Sequence, residues 1–419
     1  MQHMQRTERG KNMIRKNIIH TVAGVIAAAL MVAAPIFSLV TFAGPSDDPV
    51  IQAPHVGPGE DEEEYAQALA DWAQAIAQNA GSAVNRSVPA AVLAEGNYYD
   101  LPNAKPMAAA IDMYSYDMMV HDLNNMKQTY PSLVKLQSIG TSLDGRTIYD
   151  VIIGNQNASK KILIQAGIHG REYIVSTVAM QQIDALLNGA ANGGTFNGMP
   201  VSEMLQKVCF HFVPMANPDG VSISQFGEAG VKNAKFREIM QNGFAMDTAT
   251  GRAGGADYAT YLTRWKGNAA GVDVNHNFDA NWGEIIDAGY GRAVGWKGAN
   301  PLSEPESKAL ANLSYSNKFD ATLSYHSTGS ILYWDTANNR SAQTSYEIAS
   351  LVHDISGYSI MGSVGHGGYK DWMQKISTVP SLTVEMGTSV CPVNFAEYPE
   401  IWQRTKAIPG IIAEYVLKH

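Results

Sequence analysis

The chain has 419 residues, 45% of them hydrophobic and 16% charged, enough for two to three average domains or one large α/β domain with extensions. A net charge of −9 with no basic stripe argues against a nucleic-acid partner. Two cysteines, Cys209 and Cys391, allow at most one disulfide and exclude a disulfide scaffold or a cysteine-rich metal site.

In chain order, Arg6, Arg9, Lys11, Arg15 and Lys16 precede an apolar run from Ile18 to Ala43. A basic segment, a long apolar segment and small residues before Gly44 are the pattern of an export signal. The run also has the length to span a bilayer. Residues 1–43 therefore read as a signal peptide or signal anchor, with the cleaved signal preferred. Residues 44–111 read as linker, or as a pro-segment, with one acidic helix. In that helix Glu60–Glu64 leads into Tyr65, Leu69, Trp72 and Ile76 on one face. Residues 81–109, rich in Ala, Pro and Asn, look like a second linker.

From Met113 the pattern changes. Tyr116, Met119, Val120, Leu123 and Met126 predict a helix ended by Pro131. Leu133–Ile139 and Ile148–Gly154 predict strands joined by a turn at Asp144-Gly145-Arg146. Further strands are expected at 162–166, 208–215, 319–325 and 381–384. Helices are expected at 304–313 and from about Ala396, the latter interrupted at Pro409. Asn217-Pro218-Asp219-Gly220 reads as a turn, and 226–270 as a long loop region with short helices. Strands alternating with helices imply an α/β domain over 112–419, with a mixed, largely parallel twisted sheet flanked by helices.

One junction carries chemistry. The strand 162–166 ends in Gly167, and His169-Gly170-Arg171-Glu172 follows before a helical pattern at Ile174, Val178, Met180 and Ile183. Open α/β sheets build sites at the carboxyl ends of their strands. A His and a Glu three residues apart suit Zn²⁺, which takes imidazole nitrogen and carboxylate oxygen. A catalytic zinc needs a third protein ligand and an open position.

Eleven histidines are present. His3 and His20 lie in the export segment, His55 in a linker and His419 at the terminus. His121 and His353 fit helical patterns, and His211 sits inside a strand. This leaves His169, His276, His326 and His366, of which His326 ends a strand as His169 does. Thr383-Val384-Glu385 puts a carboxylate at another strand's end, where burial is costly unless the group is paired or functional. Beside a metal such a Glu can move a proton from water to a leaving amine.

His169-x-x-Glu172, Asn217-Pro218-Asp219-Gly220, Gly271-Val272-Asp273-Val274-Asn275, His326, Asp371-Trp372 and Thr383-Val384-Glu385 follow one another in the order and approximate spacing of the zinc carboxypeptidase family. The segment 112–419 resembles that family. The resemblance implies one Zn²⁺ held by His169, Glu172 and His326, the His₂Glu set known from carboxypeptidase A, with Glu385 as general base. It implies that Asp273 orients the first ligand histidine. Lys266 is implied as the cation facing the developing oxyanion, at a position where the family pattern has Arg, and Arg264 is its rival. Asn275 and Arg171 are implied as substrate contacts.

Three departures bear on specificity. The family pattern reads Asn-Arg where this chain has Asn275-His276, and a histidine cannot make the bidentate fork that grips a terminal carboxylate. The family's loop tyrosine should fall near Ser363, leaving His366 or Tyr369 as substitutes. Lys370 stands before Asp371-Trp372, where its charge would favour an acidic side chain after the scissile bond. These features, with Trp265-Lys266-x-Asn268, resemble the branch of γ-D-glutamyl-diamino-acid peptidases that act on cell-wall stem peptides. Lys370 or His276 would then meet the second carboxylate of diaminopimelate. The resemblance thus implies an extracytoplasmic peptidase acting on a peptide or peptidoglycan stem peptide. The alternatives are a secreted metallocarboxypeptidase on ordinary peptides and a non-catalytic peptide-binding domain. Membrane contact is expected only through residues 18–43.

Overall fold

The computed structural model describes residues 97–101, 104–362 and 366–419. The expected export segment, the expected acidic helix and the position near Ser363 lie outside the described residues. The described residues 97–101, 104–360 and 366–419 form one compact unit. No helix of the described residues is long and apolar enough to cross a membrane.

Eight strands build one sheet: β1 (Val134–Thr141), β2 (Thr147–Ile153), β3 (Lys160–Ala166), β4 (Val208–Val213), β5 (Ala321–His326), β6 (Ile331–Tyr333), β7 (Ser359–Met361) and β8 (Ser381–Glu385). Their spatial order is β1-β2-β4-β3-β5-β8-β6-β7. The central strands β4, β3, β5 and β8 are parallel, while β1 with β2, β2 with β4 and β8 with β6 are antiparallel. The α/β class and the mixed sheet are as the sequence implies. β4 and β5 are buried at every position; β4 accordingly reads as a nearly continuous apolar run, while β5 also buries the polar Thr322, Ser324 and His326.

Alternate residues of the central strands feed two cores. Ile162, Ile164, Phe210 and Phe212 join one, with the helices α1 (Tyr116–Thr129) and α2 (Ile174–Ala191). Leu163 and Val213 join the other, with Leu310 and Leu313 of the helix Pro305–Ser316 and with Trp372. Residues 97–101 and 104–111, read from composition as the end of a linker, belong to the folded domain. Tyr98 and Ala108 are core residues, and Asp184 accepts hydrogen bonds from the N–H groups of Met107 and Ala108. Cys209 and Cys391 are both buried, free thiols.

Three sequence readings need revision. Asn-Pro-Asp-Gly is the start of a helix, Pro218–Phe226: the Asn217 side chain accepts from the Gly220 N–H, and Pro218 sits in the first turn. The supposed loop region contains a 16-residue helix, Ala234–Ala249. Its buried face is Phe236, Met240, Gly243 and Asp247, so a glycine and a carboxylate hide the helical period. At the carboxyl end the break falls at Lys406–Ala407. Pro409 lies in the first turn of the next helix, Ile408–Lys418, where no N–H is needed.

The loop after β4 and the segment around Lys266 are knit together behind the loop His169–Glu172. Asn217 Nδ2 donates to the carbonyls of Ile168 and Gly267, each at 3.1 Å. A Cβ at Gly170 would come within 2.3 Å of the Gly220 carbonyl, so only glycine allows that approach. Asn268 accepts from the Ala270 and Val272 N–H groups and donates to Glu304 and Glu306. Glu306 is fully buried, and burial pushes its carboxyl up to about 8 against the hydrogen bond from Asn268.

Glu306 thus keeps its proton in the fold through a range in which the unfolded chain has lost it. Stability should therefore fall as pH rises from about 4.5 to about 8. Glu306→Gln should remove that loss, gaining roughly 2–4 kcal/mol at pH 8 and little near pH 4.5. Urea melts of both proteins at the two pH values test this; an equal midpoint difference at both would refute it.

Candidate metal centre

β3 and β5 are adjacent parallel strands, and His169 and His326 sit just beyond or at their carboxyl ends. His169 precedes a single 3-10 turn, Gly170–Glu172, which swings Glu172 back toward it. His169 Nδ1 lies 2.7 Å from Glu172 Oε1, and His326 Nδ1 lies 2.9 Å from Glu172 Oε2. The two imidazole Nδ1 atoms are 3.1 Å apart. All three residues are buried, and among the described residues they form the one His/Cys/Asp/Glu group able to hold a metal ion. Two imidazole nitrogens facing each other beside a carboxylate leave one common point for a cation. A tetrahedral ion with bonds of about 2.0–2.2 Å keeps neighbouring ligands roughly 3.3–3.6 Å apart, close to this spacing. Two nitrogens and one oxygen are the donor set of a catalytic zinc.

The outer contacts fix the rings. His169 turns its Nε2 to Asp273 Oδ1 at 3.2 Å, so the ring donates there and offers Nδ1 to the centre. Lys266 Nζ lies 3.1 Å from the other Asp273 oxygen, and His276 Nδ1 lies 3.5 Å from it. Burial raises the Asp273 carboxyl, but His276, Lys266 and His169 outweigh this and hold it well below the usual range. Burial likewise raises Glu172, and the two imidazoles overcome it. For Lys266 the loss of hydration lowers the pKa, but Asp273 and Glu172 raise it further, so the ammonium stays charged. The Ser327 N–H also donates to Glu172, at 3.2 Å.

Glu385 is paired with His326 across β8 and β5, so both side chains leave the same face of the sheet at the same level. Burial pushes its carboxyl up to about 7, with Glu172 adding to the rise, while His326, Lys266 and Arg171 oppose it. A carboxyl poised near neutrality beside a metal position has the acidity of a proton shuttle. Tyr333, paired with Thr383 on the next strand, stands on the same face. The sequence reading passed over it because nothing local marks it.

The remaining candidates divide. Arg171 is half-buried between the two ligands of the metal loop, and its carbonyl accepts from the Cys391 thiol at 3.3 Å. Asn275 Oδ1 accepts from the Tyr369 N–H. His366 lies 3.9 Å from Glu284. Arg264 caps the helix Tyr258–Thr263 and is exposed, so of the two cations it is Lys266 that reaches the site. Tyr369 does not stand in for a loop tyrosine: its ring is fully buried and its hydroxyl bonds Ser314 at 2.7 Å. Lys370 corrects another expectation. Its buried ammonium bonds Asp371 Oδ1 and the Asp335 carbonyl, each at 2.5 Å, so its charge is neutralised inside the fold. A substrate carboxylate would have to displace both.

A family model described as zinc carboxypeptidase matches residues 119–407. The chain belongs to the zinc carboxypeptidase family. It is therefore a zinc metallopeptidase, a hydrolase, and zinc is the ion that His169, Glu172 and His326 suit. The γ-D-glutamyl-L-diamino acid endopeptidase 1 of Lysinibacillus sphaericus is 29% identical over 70% of this chain and 71% of its own length. Carboxypeptidase B of Canis lupus familiaris is 27% identical, covering 69% of this chain and 67% of that protein. Among solved structures, bovine thrombin-activatable fibrinolysis inhibitor has the same fold, with a TM-score of 0.55 at 19% identity, covering 73% of this chain and 97% of that one.

Removing the Asp273 carboxylate frees the His169 ring and leaves the Lys266 ammonium without its partner. Asp273→Ala should weaken zinc binding by about 10–100-fold. Competition with a chromogenic chelator measures it, and unchanged affinity would show that Asp273 does not orient the ligand.

Proposed function

We propose that this zinc carboxypeptidase-family protein is an extracytoplasmic peptidase that hydrolyses γ-D-glutamyl–diamino acid bonds of bacterial cell-wall peptides. The observation that carries the reading is His276. The hydrolytic groups are retained, yet the position that holds a carboxylate-gripping guanidinium in the family pattern carries an imidazole turned to Asp273. The endopeptidase of Lysinibacillus sphaericus, whose name states this bond class, supports it. Export rests on the basic and apolar pattern of residues 6–43.

In this reading each side chain has one task. Bound zinc supplies a Lewis acid for the scissile carbonyl and lowers the pKa of its water. Glu385 accepts the proton of the attacking water and returns it to the leaving amine. Lys266, held by Asp273, stands by the carbonyl oxygen as negative charge develops there. Arg171 and Asn275 line the approach of the peptide. His276, with its pKa lowered by burial, Lys266 and His169 against the opposing pull of Asp273, is neutral near pH 7 and suits a hydrogen bond rather than an ion pair.

The test is the zinc-loaded protein with two substrates, a γ-D-glutamyl-diaminopimelate stem peptide and a library of ordinary peptides with free C-termini. Cleavage of the stem peptide is expected, and Glu385→Gln should cost about 10²–10⁴-fold in turnover with zinc still bound. Loss of single C-terminal residues from the library, with the stem peptide intact, would overturn the proposal in favour of a carboxypeptidase.

A further inference from the structure

Asp247 lies on the helix Ala234–Ala249, away from the metal ligands in sequence, yet it is 1% exposed and accepts from three side chains. Tyr261 Oη donates to its Oδ2 at 2.9 Å, Tyr290 Oη to its Oδ1 at 2.6 Å, and Arg292 Nε to Oδ2 at 3.1 Å. The three donors come from a short helix and from the strap 290–293, so one carboxylate ties three chain segments together. Gly243, one turn earlier, lets the strap lie against the helix: a Cβ there would come within 2.7 Å of the Gly291 carbonyl.

The strap leads to the site. The Tyr261 hydroxyl also accepts from the Ala293 N–H, at 3.0 Å. The Ala293 carbonyl in turn accepts from the N–H groups of Lys266, at 2.8 Å, and Gly267, at 3.2 Å. The Lys266 carbonyl accepts from the Gly170 N–H at 3.0 Å, within the metal loop. Lys266 is thus held by its backbone on both sides, and one side runs through Ala293 and Tyr261 to Asp247. A carboxylate buried away from solvent needs such donors to offset its lost hydration, so the network forms as a unit or not at all. Burial raises the Tyr261 phenol far above neutrality, which keeps it a donor to Asp247 at every working pH.

We infer that Asp247 and Tyr261 are positioning residues that set where the Lys266 ammonium stands relative to the reacting carbonyl. The inference rests on the reading of Lys266 as the cation that meets developing negative charge. A few tenths of an ångström at a charged donor changes its effect on a transition state far more than on a bound ground state. Loss of the clamp should therefore lower kcat and leave KM and zinc affinity nearly unchanged.

The experiment is a double-mutant cycle on the zinc-loaded full chain with Tyr261→Phe, which keeps the ring and removes only the hydroxyl, and Lys266→Met. Tyr261→Phe alone should lower kcat about tenfold with KM and zinc affinity within about twofold. Lys266→Met should lower kcat by about 10²–10³-fold. In the Lys266→Met background Tyr261→Phe should change kcat less than about twofold, because the group it positions is gone. Asp247→Asn, which retains an acceptor but weakens the pairing with Arg292, should act in the same direction. An equal loss from Tyr261→Phe in both backgrounds, or no loss in either, overturns the clamp while leaving the role of Lys266 intact. Unchanged kcat in Lys266→Met overturns that role, and the clamp with it.

Discussion

Two imidazoles and a carboxylate, buried with their donor atoms 2.7–3.1 Å apart, are the constraint around which this domain is arranged. Such a group is held together without a metal only by protons shared among its members. A dication removes that need and satisfies all three at once. The parallel order of β3, β5 and β8 is what makes the convergence possible, because it brings the carboxyl ends of three strands to one edge. His169 and Glu172 come from the first, His326 from the second and Glu385 from the third.

Around that group the charges are arranged in a definite order. Asp273 is the counter-charge behind the first ligand, and Lys266 and His276 gather on its second oxygen. One buried carboxylate thereby meets a metal ligand, an ammonium and the His276 imidazole. By contrast, Lys370, which the sequence suggested for the substrate pocket, is bonded within the fold.

Much of this was legible in the residues. The strand ends marked His169, His326 and Glu385, and apolar runs marked β3 and β4, with shorter apolar-containing segments at β5 and β8. Their convergence came from the resemblance, since no local pattern says which strands are neighbours. What was hidden had physical causes. The helix Ala234–Ala249 buries Gly243 and Asp247, so its face does not look apolar. Asn-Pro-Asp-Gly has the composition of a turn, and a helix N-terminus uses the same residues. The sequence just before the domain looks like a linker, yet Tyr98 and Ala108 within it are core residues. Lys370 and Arg264 were candidates by position in sequence, and burial decided against one while exposure decided against the other. Cys391 gave no signal, although its thiol lies against the metal loop.

X-ray absorption at the zinc edge of the zinc-loaded protein tests the centre most directly. The account expects two imidazole nitrogens and a carboxylate oxygen in the first coordination sphere, at about 2.0–2.2 Å. A sulfur neighbour at about 2.3 Å, or a single imidazole, would mean that the ion sits elsewhere and that the proposed chemistry has no centre.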